Sequence, residues 1–312
     1  MFEEIKNIIG NYDTVIIHRH KNPDGDALGS QIGLKNLIKE NYPEVRVLCV
    51  GDASSRYGFM DDSEMDEVLD SDYNGALAFV LDTSASSLIS DERFKLADKT
   101  VRIDHHIFCE KIADIEVTDT SYESCCGLIT AMAMECGWKM SPLAAKSLYT
   151  GMVTDSGRFR YDSTTSNTFR LAAFLMEQQF STADIYRNLY SDDYKFIKLR
   201  AQFVLRIQFV EGARVAYIYT TKDEVSEYGF DSFTISRGMV NVMSEIKGID
   251  VWVNFTETDE GVLAEIRSSM YNINTIAQKY GGGGHAKASG ATLENREAAM
   301  NMLSDLVKLT EE

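Results

Sequence analysis

Proline is scarce in this chain, with 3 residues in 312, and glycine stands at 21; long disordered linkers are therefore not expected. No apolar run approaches the roughly 18 residues of a membrane span. The N-terminal stretch MFEEIKNIIGNYD has no basic start, apolar centre or small-residue cleavage site, so it does not read as a signal peptide and a cytoplasmic location is expected. Cysteine is also sparse. Cys49, Cys109, Cys125, Cys126 and Cys136 make an odd set with no C-x-x-C pair, which fits reduced, mostly buried thiols better than a disulfide framework. Positive charge is in deficit: 31 Lys and Arg face 48 Asp and Glu, for a net charge of −17. Such a surface repels long polyanions, which argues against a duplex-DNA partner. A short nucleotide remains possible, because divalent metals and a few arginines can supply local positive charge.

What is present describes a soluble globular protein. Hydrophobic residues make up 44% and charged residues 25%, and the length suggests about two domains. Strand and helix signals alternate in the first part. DTVIIHR, EVRVLCV, GALAFVLDTS and KTVRIDHH read as strands, and DALGSQIGLKNLIKENYP as an amphipathic helix ended by Pro43. Helical patterns follow at SCCGLITAMAMECG and PLAAKSLYTGMVTDSG. The expected fold is α/β, a mostly parallel sheet with helices on both faces, plus a smaller C-terminal α/β domain across a cleft. Ligands of such sheets sit beyond the carboxyl ends of the strands. From about Leu171 to Phe209 the pattern is helical and charged, with SDDYKFIKLRAQFVLRIQF as a connecting helix. VAYIYTT, ISRGMVNVMSEIKG, two strands around a TDEG turn, NINTIAQKY, GGGGHAKASG and a final helix then make the smaller domain.

All five histidines, His18, His20, His105, His106 and His285, fall at strand ends or in a glycine-rich turn. His20 is followed by Asp24 and Asp26, bent together by Pro23 and Gly25; those aspartates suit a helix cap as well as a metal. Asp82 ends an apolar strand, where a carboxylate is costly unless paired, capping or metal-bound. Asp104, His105 and His106 end another. There one imidazole could bind metal, the other face substrate, and the aspartate orient a ring. Asp155 precedes Ser156 and Gly157, which taken alone reads as a helix stop. Together the segments offer His20, Asp24, Asp26, Asp82, His105 and Asp155. This mixed carboxylate and imidazole set suits Mn²⁺, with Mg²⁺, Fe²⁺ or Co²⁺ as weaker options. It exceeds what one ion needs. Two ions sharing a carboxylate would activate a bridging water and clamp a phosphoryl group. A structural zinc site is disfavoured, since no cysteine pair accompanies the histidines.

The segments HKNPDGDALGS, LDTS, DHH and TDSGRF, in this order, resemble the four motifs of the DHH phosphoesterase superfamily, and GGGGHAKASG resembles the hallmark of its associated nucleotide-binding domain. The resemblance covers nearly the whole chain. It is greatest to the oligoribonuclease and 3′-phosphoadenosine-5′-phosphate phosphatase subfamily, the nano-RNases. It implies two Mn²⁺ ions, one held by His20, Asp24 and Asp82 and the other by Asp26, Asp82, His105 and Asp155. It further implies that His106 faces the substrate phosphate and that Asp104 orients the histidines. His18 matches no ligand position and reads as a strand-edge residue. The implied division is a phosphoesterase domain over 1–187, a connecting helix over 188–209 and a nucleotide-binding domain over 210–312.

In that second domain Arg267 and the glycine segment, with Gly282, Gly283, Gly284 and His285, would grip the nucleotide. Gly281 to Gly284 could form an anion nest, or simply a flexible turn. Arg158 and Arg237 could be further phosphate contacts or ordinary solvated surface arginines, and neither is assigned to the site. The expected activity is hydrolysis of short RNA to mononucleotides and of 3′-phosphoadenosine-5′-phosphate to AMP. Alternatives are a phosphodiesterase acting on cyclic di-AMP or pApA, a pyrophosphatase, and a catalytically silent nucleotide sensor. A homodimer is compatible with all of them.

Overall fold

The computed structural model describes residues 2–311. Contacts divide the chain between Ser191 and Asp192 into two compact units. The first comprises α1 (Phe2–Ile9), β1 (Thr14–Arg19), α2 (Gly25–Asn41), β2 (Arg46–Cys49), β3 (Leu77–Leu81), β4 (Lys99–Asp104), β5 (Ile115–Thr118), α3 (Cys125–Glu135), α4 (Pro142–Asp155), α5 (Ser166–Met176) and α6 (Thr182–Tyr190). The strands form one parallel sheet in the order β2-β1-β3-β4-β5.

The middle of the sheet is mainly apolar because both faces are buried, and β3 is apolar along its whole length. Val15, Ile17, Phe79, Leu81, Val101 and Ile103 pack with the α-helices on one side. Ile16, Ala78 and Val80 face the other, covered by Tyr73, Ile89 and Phe94 from short 3₁₀ turns and the chain beside them. β5 is the strand that sequence periodicity did not reveal. It is four residues long, and its Glu116 bonds buried Arg102 rather than packing in a core.

His18 is not at an edge. It lies within β1, fully buried, with Nδ1 3.1 Å from the Asp91 carbonyl and Nε2 3.3 Å from the Tyr73 hydroxyl. Of the cysteines only Cys109 is exposed.

The second unit holds α7 (Tyr194–Leu205), β6 (Gln208–Phe209), β7 (Val215–Thr220), α8 (Lys222–Tyr228), α9 (Ser232–Met239), β8 (Val251–Glu257), β9 (Val262–Ser268), α10 (Asn274–Lys279), β10 (Gly283–His285), β11 (Ala288–Leu293) and α11 (Arg296–Glu311). Its mixed sheet runs β10-β11-β9-β8-β7-β6, with only β7 and β8 parallel. Val253, Phe255 and Ile266 pack with Ala299 and Met302 of α11. Ala216, Ile218 and Trp252 pack on the other face with Ile235 and Met239 of α9. The stretch read as a connector divides. Its first residues end α6, whereas α7 buries Leu199 and Phe203 in the second unit's core. The glycine-rich segment is a hairpin rather than a loop, with Gly283 opposite Gly290 and His285 opposite Ala288.

Candidate metal centre

Parallel pairing brings the carboxyl ends of β1, β3 and β4 side by side. His20 follows β1, Asp82 follows β3, and Asp104 ends β4 just before His105 and His106. α2 starts at the same edge. Asp24 is its N-cap, its Oδ1 accepting from the Asp26 and Ala27 amides at 3.0 and 2.9 Å, so the capping role and a place in the acidic cluster coexist. The Asp26 carboxylate is buried and accepts the first two amides of α3, Cys125 N to Oδ2 at 2.7 Å and Cys126 N to Oδ1 at 2.9 Å. Those amides are the unpaired donors of a helix N-terminus, which favours a carboxylate there.

Asp155 arrives from the last residue of α4 because α2 and α4 cross at very short range. Gly25, Gly29 and Gly33 form one stripe of α2. A methyl group on Gly29 would lie 2.6 Å from the Ser147 carbonyl oxygen, and one on Gly33 2.5 Å from Leu148 Cδ2. The absent side chains are what let the two helices approach.

Asp82 is the hub. It is 2% exposed and its backbone is left-handed, with φ of 52°, a conformation uncommon outside glycine that concentrates at functional sites. Its Oδ2 lies 3.5 Å from His20 Nε2 and its Oδ1 3.5 Å from His105 Nε2. The same His105 nitrogen is 3.7 Å from Asp26 Oδ2 and 3.4 Å from Asp155 Oδ2, and His20 Nε2 is 3.8 Å from Asp24 Oδ1. Three overlapping groups result, His20-Asp24-Asp82, Asp26-His105-Asp155 and Asp82-His105-His106; Asp82 contacts a histidine in each of the first two, and its Oδ1 also lies 3.5 Å from His106 Nδ1.

His105 and His106 are held differently. His105 donates from Nδ1 to the Tyr122 carbonyl oxygen at 3.3 Å, which turns Nε2 toward the carboxylates. The Asp104 carboxylate binds His106 alone, Oδ1 to Nδ1 at 2.7 Å, while its Oδ2 accepts from Arg102. Arg102 also donates to Glu116 Oε2 at 3.0 Å and the Glu110 carbonyl at 3.1 Å. Asp104 therefore orients one histidine rather than two. Arg102 went unnoticed in the sequence, although alternation on a strand places it on the same face as Asp104.

The electrostatics are those of crowded like charges. Burial raises the Asp155 carboxyl, His105 opposes it and Asp82 adds to it, leaving Asp155 at about 7. Burial, Asp82 and Asp155 push Asp26 well above the usual range. Burial works against protonation of His20 and His105, but the surrounding carboxylates prevail and push them up to about 11 and about 10. Asp24 is raised by desolvation but held low by His20 and the Ala27 amide, which outweigh it. Without a cation, the centre would hold protons in its place.

A divalent ion fits these residues. Asp82 Oδ1 is buried with no hydrogen-bond partner among the described residues, a costly condition that a cation relieves. The donor set of carboxylate oxygens and imidazole nitrogens suits a hard to borderline divalent metal.

In the second unit Arg267 pairs in register with Ala288, which pairs with His285, so the three lie in one row of the sheet. The glycines have separate tasks. A methyl on Gly282 would lie 2.1 Å from the Gly290 carbonyl oxygen, and one on Gly284 (φ 138°) 2.6 Å from that of Ala288. Gly283 has open space. The Gly281 and Gly282 amides donate to Gln278 and Ala277 carbonyls at 3.0 and 2.9 Å. A four-amide anion nest is therefore not formed.

The fold is that of a phosphoesterase of the DHH class. Residues 14–152 match the DHH family N-terminal domain, and residues 225–312 match the DHHA1 domain. The chain is 35% identical to the bifunctional oligoribonuclease and PAP phosphatase NrnA of Bacillus subtilis (strain 168), over 100% of this chain and 99% of that one. It is also 35% identical to the probable bifunctional oligoribonuclease and PAP phosphatase NrnA of Streptococcus mutans, covering 98% and 99%. Among solved structures, an exopolyphosphatase-related protein from Bacteroides fragilis shares the fold, with a TM-score of 0.87, 24% identity and coverage of 100% and 97%. The chain belongs to the DHH family and carries its DHHA1 domain. No helix among the described residues is long and apolar enough to cross a membrane.

Proposed function

We propose that the protein hydrolyses short oligoribonucleotides to mononucleotides and 3′-phosphoadenosine-5′-phosphate to AMP, using two divalent ions, Mn²⁺ by preference. The observation that carries this reading is Asp82, a buried carboxylate whose two oxygens face two different histidines. The full-length likeness to oligoribonuclease and PAP phosphatase relatives supports the substrate class. In this reading His20, Asp24 and Asp82 hold one ion, and Asp26, Asp82, His105 and Asp155 the other. When bound, the pair supplies an activated water and stabilises charge on the phosphoryl oxygens.

The remaining steps belong to side chains. Asp104 holds a proton on His106 Nδ1 and raises the ring's affinity for a second, so the imidazolium donates from Nε2 of that half-exposed ring to a phosphate oxygen. Arg102 holds Asp104 from behind, so the His106 ring keeps its orientation as charge develops. Arg267 and His285 bind the nucleotide.

Hydrolysis assays with Mn²⁺ on 3′-phosphoadenosine-5′-phosphate, pApA, a five-nucleotide RNA, cyclic di-AMP and pyrophosphate test the proposal. AMP and mononucleotides should appear from the first three. Turnover of pyrophosphate alone would overturn it, as would tight nucleotide binding with no turnover, the behaviour of a sensor. Preference for cyclic di-AMP would move the assignment to a cyclic-dinucleotide phosphodiesterase.

A further inference from the structure

On the face of the second sheet that carries Trp252, α9 packs as far as β9. Asn254 of β8 donates to the Ile235 and Ser236 carbonyls of α9 at 3.0 and 2.9 Å. Beyond that helix the register places Glu265 beside Gly290 and then Gly283, and Arg267 beside Ala288 and then His285. The face beyond Glu265 and Arg267 thus bears nothing larger than a methyl group until His285. From β9 to β10 it spans two strand spacings, about 10 Å.

At its border stands an arrangement of which the proposed chemistry has used only Arg267. Glu265, only 15% exposed, accepts from two arginines, Arg237 Nε to Oε1 at 3.1 Å and Arg267 Nη1 to Oε2 at 3.1 Å. The Arg237 guanidinium lies 4.6 Å from the centre of the Phe233 ring. Both side chains are open to solvent, Arg237 at 61% and Phe233 at 56%.

We propose that Arg237 and Arg267, aligned on the two oxygens of Glu265, form a paired-guanidinium clamp for a nucleotide phosphate, with Phe233 backing Arg237. Two cations share one anion here, a local excess of positive charge in a chain whose net charge is −17. Glu265 occupies the Arg237 Nε–H, and Arg267 Nη1 is taken by Glu265 and by the Ile266 carbonyl at 2.9 Å, which leaves both Arg237 Nη groups and Arg267 Nη2 for the oxygens of a phosphate. The aromatic ring holds the Arg237 plane and lowers the entropy lost when it binds. The phosphate concerned is the one not being cleaved, so the clamp rests on the nucleotide-hydrolase reading above and adds Arg237 to it.

Binding of AMP to the full-length chain without metal, measured by calorimetry, tests the clamp apart from catalysis. Arg237→Gln should weaken AMP at least about tenfold, and Arg237→Lys should restore part of the loss. Phe233→Leu should weaken it about two- to fivefold. In turnover of 3′-phosphoadenosine-5′-phosphate, Arg237→Gln should raise KM with kcat little changed, which general misfolding would not do. Wild-type AMP affinity in Arg237→Gln would overturn the clamp whatever the enzyme hydrolyses. Failure of the wild type to hydrolyse any nucleotide, with AMP binding still dependent on Arg237, would instead count against the catalytic assignment and leave the clamp standing.

Discussion

Gly151 of α4 lies directly against the Asp26 carboxylate of α2: a methyl group there would stand 2.9 Å from Asp26 Oδ1 and 2.2 Å from Cys126 Sγ. Gly151→Ala must therefore displace Asp26 or push α3 and α4 apart. The overpacking should cost about 1–3 kcal/mol of stability. It should also lower metal content, because Asp26 leaves its place between the α3 amides and His105. Urea unfolding and metal analysis of the purified variant would check both. An unchanged midpoint with full metal content would show that the helices have slack that this crossing denies.

Much of this centre was legible because its residues sit where local patterns end. His20, Asp82 and the Asp104-His105-His106 run each close an apolar strand, and a polar group at that position is conspicuous. Asp24 and Asp26 share a turn with proline and glycine. What the sequence concealed are contacts made by backbone or across long separations. The Cys125 and Cys126 amides that hold Asp26 are about a hundred residues away from it, and no side-chain pattern marks an amide. Arg102 looks like an ordinary strand arginine until the fold buries it against Asp104. The glycine run read as an anion nest or a flexible turn, but its neighbours AKASG complete a hairpin whose close backbones require Gly282 and Gly284.

Asp82→Ala should abolish turnover and reduce bound metal for both positions together, since Asp82 Oδ2 faces His20 and Oδ1 faces His105. The same change removes a buried charge, so the fold itself should survive. Circular dichroism would establish that, and elemental analysis would count the metal. Wild-type activity in this variant would eliminate the shared-carboxylate arrangement.

Loading the centre should release protons. At pH 8 the metal-free His20 and His105, raised to about 11 and about 10, are protonated, whereas a metal takes the neutral imidazole. Binding should therefore release about two protons from the imidazoles at this pH, and any proton held by the raised Asp26 carboxyl adds to them. Asp155, at about 7, adds to the release as the pH falls below neutrality. Calorimetric titration with Mn²⁺ in buffers of different ionisation enthalpy reads the number directly. Heats independent of buffer would contradict the protonated resting centre.

His18 gives the first unit an acid sensitivity separate from the metals. Burial holds its imidazole down to about 4, with Asp91 only partly opposing. The neutral ring fits its site, with Nδ1 on the Asp91 carbonyl and Nε2 on the Tyr73 hydroxyl. In the unfolded chain the same group titrates near 6.5. Between those values the unfolded state binds the extra proton, so stability rises with pH across the window and is complete above about 6.5. At pH 4.5 the loss amounts to roughly 2–3 kcal/mol relative to pH 7.5, from a shift between 6.5 and about 4. His18→Gln keeps hydrogen-bonding capacity but cannot take the proton. It should be less stable than wild type at pH 7.5 and recover most of that deficit at pH 4.5. Denaturant midpoints of both proteins, measured with chelator present so that the carboxylate centre titrates alike in each, isolate the difference. A gap between the two that stays constant from pH 7.5 to 4.5 would mean that His18 is protonated in the folded protein.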